Sequence, residues 1–264
     1  MNKKKLRSSN IYLAVILILM YLPILTVIVY SFNDSKLSTI WTGFSLSWYQ
    51  KLFSDTVMMD ALKNSLILAL LSCSISAVIG TVGAVGLVRS NLRGKTAIET
   101  LSTIPIMIPE IILGMMFLAF FSFLGFRFGM FTLVLAHCSF CIPYIFMMVK
   151  GSLASLDTSI EDAARDLGAS GIRTFFDMIL PQILPSVLSG SLLAFAMSLD
   201  DVVISFFVTG ASVNTLPIKI YSQLKMGVTP EVNALCTLML VVTFIIIIIS
   251  SLIGRKSTKK ERIL

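Results

Sequence analysis

Three carboxylates stand inside stretches that are otherwise apolar: Glu110, and the neighbours Asp200 and Asp201. An ionised side chain at the centre of a bilayer costs at least about 2.5 kcal/mol unless it faces water or a partner. Each of the three is therefore expected to face the interior of a helix bundle. Carboxylates attract ammonium groups and replace part of their hydration, and they repel phosphate, sulfate or molybdate. Three acids with a single histidine, His137, point to a cationic cargo. Glu110 lies about eleven residues beyond Glu99, which at 1.5 Å per residue places it roughly 16 Å deep, near the midplane. Pro105 and Pro109 remove backbone donors beside it and can kink that helix. Asp200 and Asp201 are adjacent and so point about 100° apart on a helix. One is expected to face the pathway while the other pairs or meets water. Two other readings stay open for the acids: pairing with Lys63, Arg127, Lys219 or a partner subunit, and a sodium or proton site. His137 itself is expected to be a buried neutral histidine with one hydrogen bond, not a ligand or a catalyst.

A second chemical feature is polar and lies between two apolar runs: Glu161-Asp162-Ala163-Ala164-Arg165-Asp166-Leu167-Gly168. Asp157 or Thr158 can cap a helix at its start, and carboxylates early in the helix suit its positive end. Ala163, Ala164 and Leu167 give a small, partly apolar face, and Ala164 and Gly168 share one side. Gly168 is suited to a left-handed cap. Small residues permit close approach by another protein, and the acidic edge offers its arginines a target. Glu161, Asp162, Ala163, Ala164, Arg165 and Gly168 are thus candidates for coupling to a soluble partner; the plainer alternative is an ordinary amphipathic loop. Pro181 and Pro185 follow, and proline suits the first turn of a helix, where its missing N–H is not needed. The polar helix is therefore expected to join the next span rigidly and pass force to the bundle.

Membrane helices must position these groups. Of 264 residues, 56% are hydrophobic and 13% are charged, about half the charged fraction of a soluble domain. A bilayer crossing needs about 20 apolar residues. Six spans are expected, at 11–30, 61–88, 97–123, 130–149, 182–206 and 232–253, within one domain over 1–264, with a polar loop at 150–181. The first is read as a retained helix, because no small-residue cleavage site follows Tyr21-Leu22-Pro23. Trp41, Phe44, Trp48, Tyr49 and Phe53 place part of the 31–60 loop along the outer interface. Gly80, Gly83 and Gly86, three apart, point to a close-packing face on the second span.

Fifteen of the 21 Lys and Arg residues fall on the side of the termini and the 150–181 loop. The positive-inside rule puts that side in the cytoplasm. The net charge of +7 therefore reads as topology control, not as nucleic-acid binding. Cys73, Cys138, Cys141 and Cys236 all lie in apolar spans. Cys138 and Cys141 have CxxC spacing without the surroundings that lower a thiol pKa, and they read as small buried residues.

The polar segment resembles the EAA loop of binding-protein-dependent ABC transporter permeases. Glu161, Ala163, Ala164 and Gly168, then Ile179 and Pro181, fit that family's pattern, with Asp162 as one added polar residue. The likeness extends over the chain. Tyr21-Leu22-Pro23-Ile24, Ser31-Phe32-Asn33, the stretch from Met197 through Asp200-Asp201 to Gly210, and the blocks at 216–222 and 227–234 are similar to the C-type permease subunits of spermidine/putrescine transporters. The resemblance implies an all-α polytopic membrane protein with the six-helix type I ABC importer transmembrane fold. Its loop would be a coupling helix seated in a groove of an ATPase. The implied partners are two copies of an ABC ATPase subunit that bind ATP, a related B-type permease subunit, and an extracytoplasmic polyamine-binding protein touching the 31–60 and 210–231 loops. The implied setting is a bacterial cytoplasmic membrane, crossed several times, with both termini cytoplasmic.

The implied function is half of the translocation pathway of an ATP-driven importer for spermidine and/or putrescine. Alternatives are an ABC permease for another small cationic solute or metal and, in a different class, an intramembrane enzyme or a non-transporting scaffold. No Gly-x-x-x-x-Gly-Lys-Ser/Thr loop, catalytic triad or zinc signature occurs. The chain is thus expected not to be an enzyme by itself and to hold no cofactor, catalytic residue, metal or nucleic acid.

Overall fold

The computed structural model describes residues 3–35, 40–211, 213–226 and 230–261. Its helices are α1 (Lys3–Tyr30), α2 (Ser47–Ser54), α3 (Thr56–Arg89), α4 (Lys95–Met107), α5 (Glu110–Phe123), α6 (Met130–Leu153), α7 (Ser159–Asp166), α8 (Gly171–Thr174), α9 (Leu180–Asp200), α10 (Val203–Val208), α11 (Leu216–Met226) and α12 (Pro230–Glu261). A wide π turn, Phe175–Ile179, fuses α8 to α9, so Gly171–Asp200 is one continuous rod. Among the described residues four stretches are long and apolar enough to cross a bilayer: Ile11–Tyr30, Thr56–Arg89, Met130–Leu153 and Gly171–Asp200. The pair α4 and α5 passes the same test with a bend of 104° between its halves. The apolar part of α12 covers Pro230–Ile245. Of the last expected span, 232–253, the side chains beyond 245 lie outside the description, as do residues 36–39 and 227–229 of the two loops.

Two compact units are present. The first is Met1–Met59 with Ile220–Leu264. There α1 and α2 pack on α12. The aromatic loop folds on itself: Phe32 stacks on Phe44 at 5.4 Å between ring centroids and lies 5.3 Å from Tyr49. Trp48 Nε1 donates to the Asn33 carbonyl at 2.8 Å, and Lys51 pairs with buried Glu231 at 2.9 Å. Most apolar residues of α1 remain exposed, Ile11, Leu19 and Met20 among them. In lipid that exposure is the favourable state of a spanning helix.

The second unit, Asp60–Lys219, carries the larger core, built around α6. The face that α3 buries runs Ser65, Leu68, Ser72, Ser76, Gly80, Ala84 and Leu87. That sequence follows the 3.6-residue period. Gly80 meets α6 closely: a Cβ there would lie 3.1 Å from the Ile142 carbonyl and from Ile145 Cβ. At Gly83 a Cβ would only graze Phe146, at 4.0 Å, and nothing lies within 4 Å of a Cβ at Gly86. Steps of three residues drift about 60° per step around a helix, so only one of the three glycines stays on the packed face.

The runs expected as single spans at 97–123 and 182–206 are each divided in two. Pro109 forces the residue before it out of the helical region, and Ile108 is extended at φ −79° and ψ 129°. The axial depth inferred for Glu110 from an unbroken helix therefore does not apply. The second break is at Asp201, extended at φ −66° and ψ 119°. Its carboxylate accepts the N–H groups of Ile204 at 3.2 Å and Ser205 at 2.7 Å, so it caps α10.

Candidate functional site

The two breaks meet at one cavity of about 240 Å³. Glu110, Asp200 and Asp201 all line it, with Pro105, Ile108, Phe140, Tyr144 and Met197 among the other walls. Glu110 is the first residue of α5 and Asp200 the last of α9. The sequence placed the three acids about ninety positions apart at the extreme, and the fold brings them to one space. Divided helices are the usual way to line a cavity at membrane depth with polar groups, because their free backbone ends are then sheltered by protein or water. Beyond the breaks, α5 and α10 are locked together: a Cβ at Gly114 would come within 2.5 Å of Phe207 Cδ2.

The acids differ in their partners. Glu110 and Asp200 are exposed to the cavity and have no hydrogen bond or ion pair among the described residues. Asp201 is committed to the α10 cap, and its Oδ2 lies 3.4 Å from His137 Nε2. The different roles of Asp200 and Asp201 thus come from the chain break, not from a 100° step on a helix. His137 is fully buried on α6. Its Nδ1 hydrogen-bonds with Ser198 Oγ at 2.7 Å and its Nε2 with Ser205 Oγ at 3.0 Å, one partner more than expected. Sequence reasoning quoted Ser198 and Ser205 only within the Met197–Gly210 stretch and gave them no role. Among the described residues no group of three His, Cys, Asp or Glu is arranged to hold a metal. Cys138 and Cys141 are buried free thiols whose Sγ atoms contact the carbonyls of Ser72 and Ala194.

The polar helix is α7. Gly168 sits at φ +84°, its N–H bonds the Arg165 carbonyl at 2.8 Å, and the Ala169 N–H bonds that of Ala164 at 3.0 Å. This is a Schellman turn, the left-handed stop that the glycine allows. At the start, Asp157 Oδ1 accepts the Ser159 N–H at 2.9 Å, whereas Thr158 makes no side-chain cap. The Ser159 backbone N–H, then its hydroxyl, hold the Asp157 carboxyl below the usual aspartate range. Glu161 does not belong to the exposed edge: it is buried and paired with Arg89 at the end of α3. Ala164 is buried as well. Asp162, Ala163, Arg165, Asp166 and Gly168 are exposed, and so is Leu167, at 90%. Arg89 is the functional candidate that pattern reading passed over, while Leu167, expected on the small apolar face, is the most exposed large apolar side chain of the segment. After the turn Ser170 Oγ accepts the Arg173 N–H at 3.3 Å and starts the rod that ends at Asp200. Lys150 of α6 and Glu99 of α4 form a second ion pair at 2.7 Å.

Spanning helices, a carboxylate cavity at two helix breaks and a short polar helix joined to one span define an all-α, multi-pass membrane permease. Residues 76–258 match the family described as the binding-protein-dependent transport system inner membrane component, and the chain belongs to that family. It is similar to the spermidine/putrescine transport system permease protein PotC of Haemophilus influenzae, at 39% identity over 94% of this chain and 96% of that protein. It is also similar to the putrescine transport system permease protein PotI of Escherichia coli, at 43% identity over 84% and 81%. Among solved structures, a bacterial alginate ABC transporter in complex with an alginate pentasaccharide-bound periplasmic protein contains a chain that superposes with a TM-score of 0.77. The superposition covers 97% of this chain and 96% of that one at 16% identity. The fold is that of type I ABC importer transmembrane subunits.

Proposed function

We propose that this chain is the membrane permease subunit of an ATP-driven importer of polyamines, spermidine and/or putrescine, and that it supplies half of the translocation pathway. The observation that carries the reading is the pair Glu110 and Asp200, two acids that line one cavity without a cation of their own among the described residues. A polyamine is a run of ammonium groups separated by methylenes. The cavity offers carboxylates for the first, and Ile108, Met197 and the Phe140 and Tyr144 rings for the second. The names of the relatives at 39% and 43% identity support the same cargo. Asp201 belongs to the site as the group that shapes its wall.

At the other end, Asp162, Ala163, Arg165, Leu167 and Gly168 form the docking face for an ATPase subunit. Glu161 and Ala164 hold that helix to the bundle. Two ATPase copies bind and hydrolyse the ATP, so this chain is not an enzyme by itself and needs no cofactor or metal. A related B-type permease supplies the other half of the pathway, and an extracytoplasmic polyamine-binding protein delivers the cargo. The chain works as one transmembrane domain of six spans in a bacterial cytoplasmic membrane, with both termini and the 150–181 loop on the cytoplasmic side.

The test is ATP-dependent uptake of labelled spermidine and putrescine into vesicles holding the full complex, with other cations and amino acids as competitors. Saturable uptake blocked only by polyamines is the expected result. Binding-protein-stimulated ATP turnover without polyamine uptake would assign the pathway to another small cation.

A further inference from the structure

One buried side chain spans the break in the α9–α10 run. His137 reaches Ser198 on α9 through Nδ1 and Ser205 on α10 through Nε2, at 2.7 and 3.0 Å. Between those serines lies Asp201, which caps α10 and stands 3.4 Å from the same Nε2. His137, Ser198 and Ser205 are all at most 3% exposed, and none of them lines the cavity. Thr132, on the same helix as His137, ties α6 to the far end of α10 by donating to the Val208 carbonyl at 2.9 Å. The other break, at Ile108–Pro109, is set by proline and needs no such tie. At 201–202 there is no proline, and both residues could continue a helix. A continuous helix there would re-aim α10 and turn Asp201 away from the N–H groups that it caps, and the wall beside Asp200 would change with it.

We propose that His137 is a positioning residue for transport: it pins both halves of the divided run, and Asp201 between them, and so keeps Asp200 in the cavity wall. The role rests on the reading that the cavity receives the cargo. It acts through geometry, since displacement of a binding group by a fraction of an ångström is enough to weaken a site held by few contacts.

The test uses the complete reconstituted complex with its binding protein. It measures the KM of putrescine uptake, binding-protein-stimulated ATP turnover and the amount of assembled complex. Ser198→Ala and Ser205→Ala each remove one pin and little volume, and each is expected to raise KM about threefold to tenfold, the range of one buried hydrogen bond. His137→Ala raises KM as far as the two serine changes together. The triple variant is no worse than His137→Ala, because all three act through one ring. Assembly stays unchanged, and Ser139→Ala, whose hydroxyl among the described residues bonds only the Ala136 carbonyl of its own helix, leaves KM as it was. Additive losses in the triple variant, or an unchanged KM in both serine variants, overturn the proposal. If His137→Ala does not assemble, the serine variants decide alone. A raised KM in Glu110→Gln and Asp200→Asn with none in the serine variants rejects the clamp and keeps the cargo site. An unchanged KM in all of them rejects the cargo site and the clamp with it.

Discussion

The two ends of the 60–219 unit use carboxylates in opposite ways. At the α7 end Glu161 is matched to Arg89 and Glu99 to Lys150, each by a base of the same chain. In the cavity Glu110 and Asp200 have no such base among the described residues, whereas Asp201 is provided for by backbone N–H groups and His137. A buried charge with its partner built in fixes geometry, and removing one member leaves the other stranded. A charge left open toward a cavity is stabilised by what enters. The matched acids hold the machine together, and the unmatched ones face the cargo.

The sharpest way to break this contrast is to remove the unmatched pair. Glu110→Gln with Asp200→Asn should lower uptake about a hundredfold, with each single change near tenfold, as expected for charge-assisted contacts of roughly 1.5 to 3 kcal/mol. Assembly, followed by co-purification with the ATPase, should be unaffected. Next in size is reversal of the matched pair. Arg89→Glu or Glu161→Arg alone should cut coupled ATP turnover more than tenfold, since an uncompensated buried charge costs about 3 to 5 kcal/mol. The double exchange should recover most of that loss. A double variant as poor as the singles would mean that Glu161 acts on the ATPase and not on Arg89.

Smaller effects sharpen the picture of the docking face. Leu167→Asp should weaken ATPase association severalfold while leaving insertion intact, because that side chain is exposed and contributes little to the fold. Gly168→Ala forces a side chain to φ +84° and should destabilise the end of α7 by about 1 to 2 kcal/mol, with Gly168→Asn milder. Helix amide exchange would read both. The smallest effect is at Asp157. Its carboxyl is held below the ordinary range, so its support of the α7 start is in place at neutral pH and is lost only as pH falls through the acidic aspartate range. Asp157→Asn should leave coupled turnover at neutral pH nearly unchanged and make amide exchange at the start of α7 less dependent on acid pH.

Local chemistry was legible where it is self-contained. Gly168 announces its left-handed turn, and the proline at 109 announces a break, although not that a bend of 104° would follow. The three acids were legible as interior groups because lipid tolerates so few. Long-range matching was not legible. Glu161 faces inward because Arg89, 72 positions earlier, ends α3 beside it. The spacing of Gly80, Gly83 and Gly86 drifts around the helix, but it does not say which of the three meets α6. The second break escaped detection because no proline marks it; Asp201 caps α10, and His137, more than sixty positions earlier, closes on the serines to either side.

The most direct measurement is putrescine uptake by the complete complex in vesicles, comparing wild type with Glu110→Gln, Asp200→Asn and their combination at saturating binding protein and ATP. A stepwise rise in KM is expected, with full assembly and with stimulated ATP turnover retained. Uptake kinetics identical to wild type in the combined variant would contradict it, and would return both acids to the status of wall residues that no cargo touches.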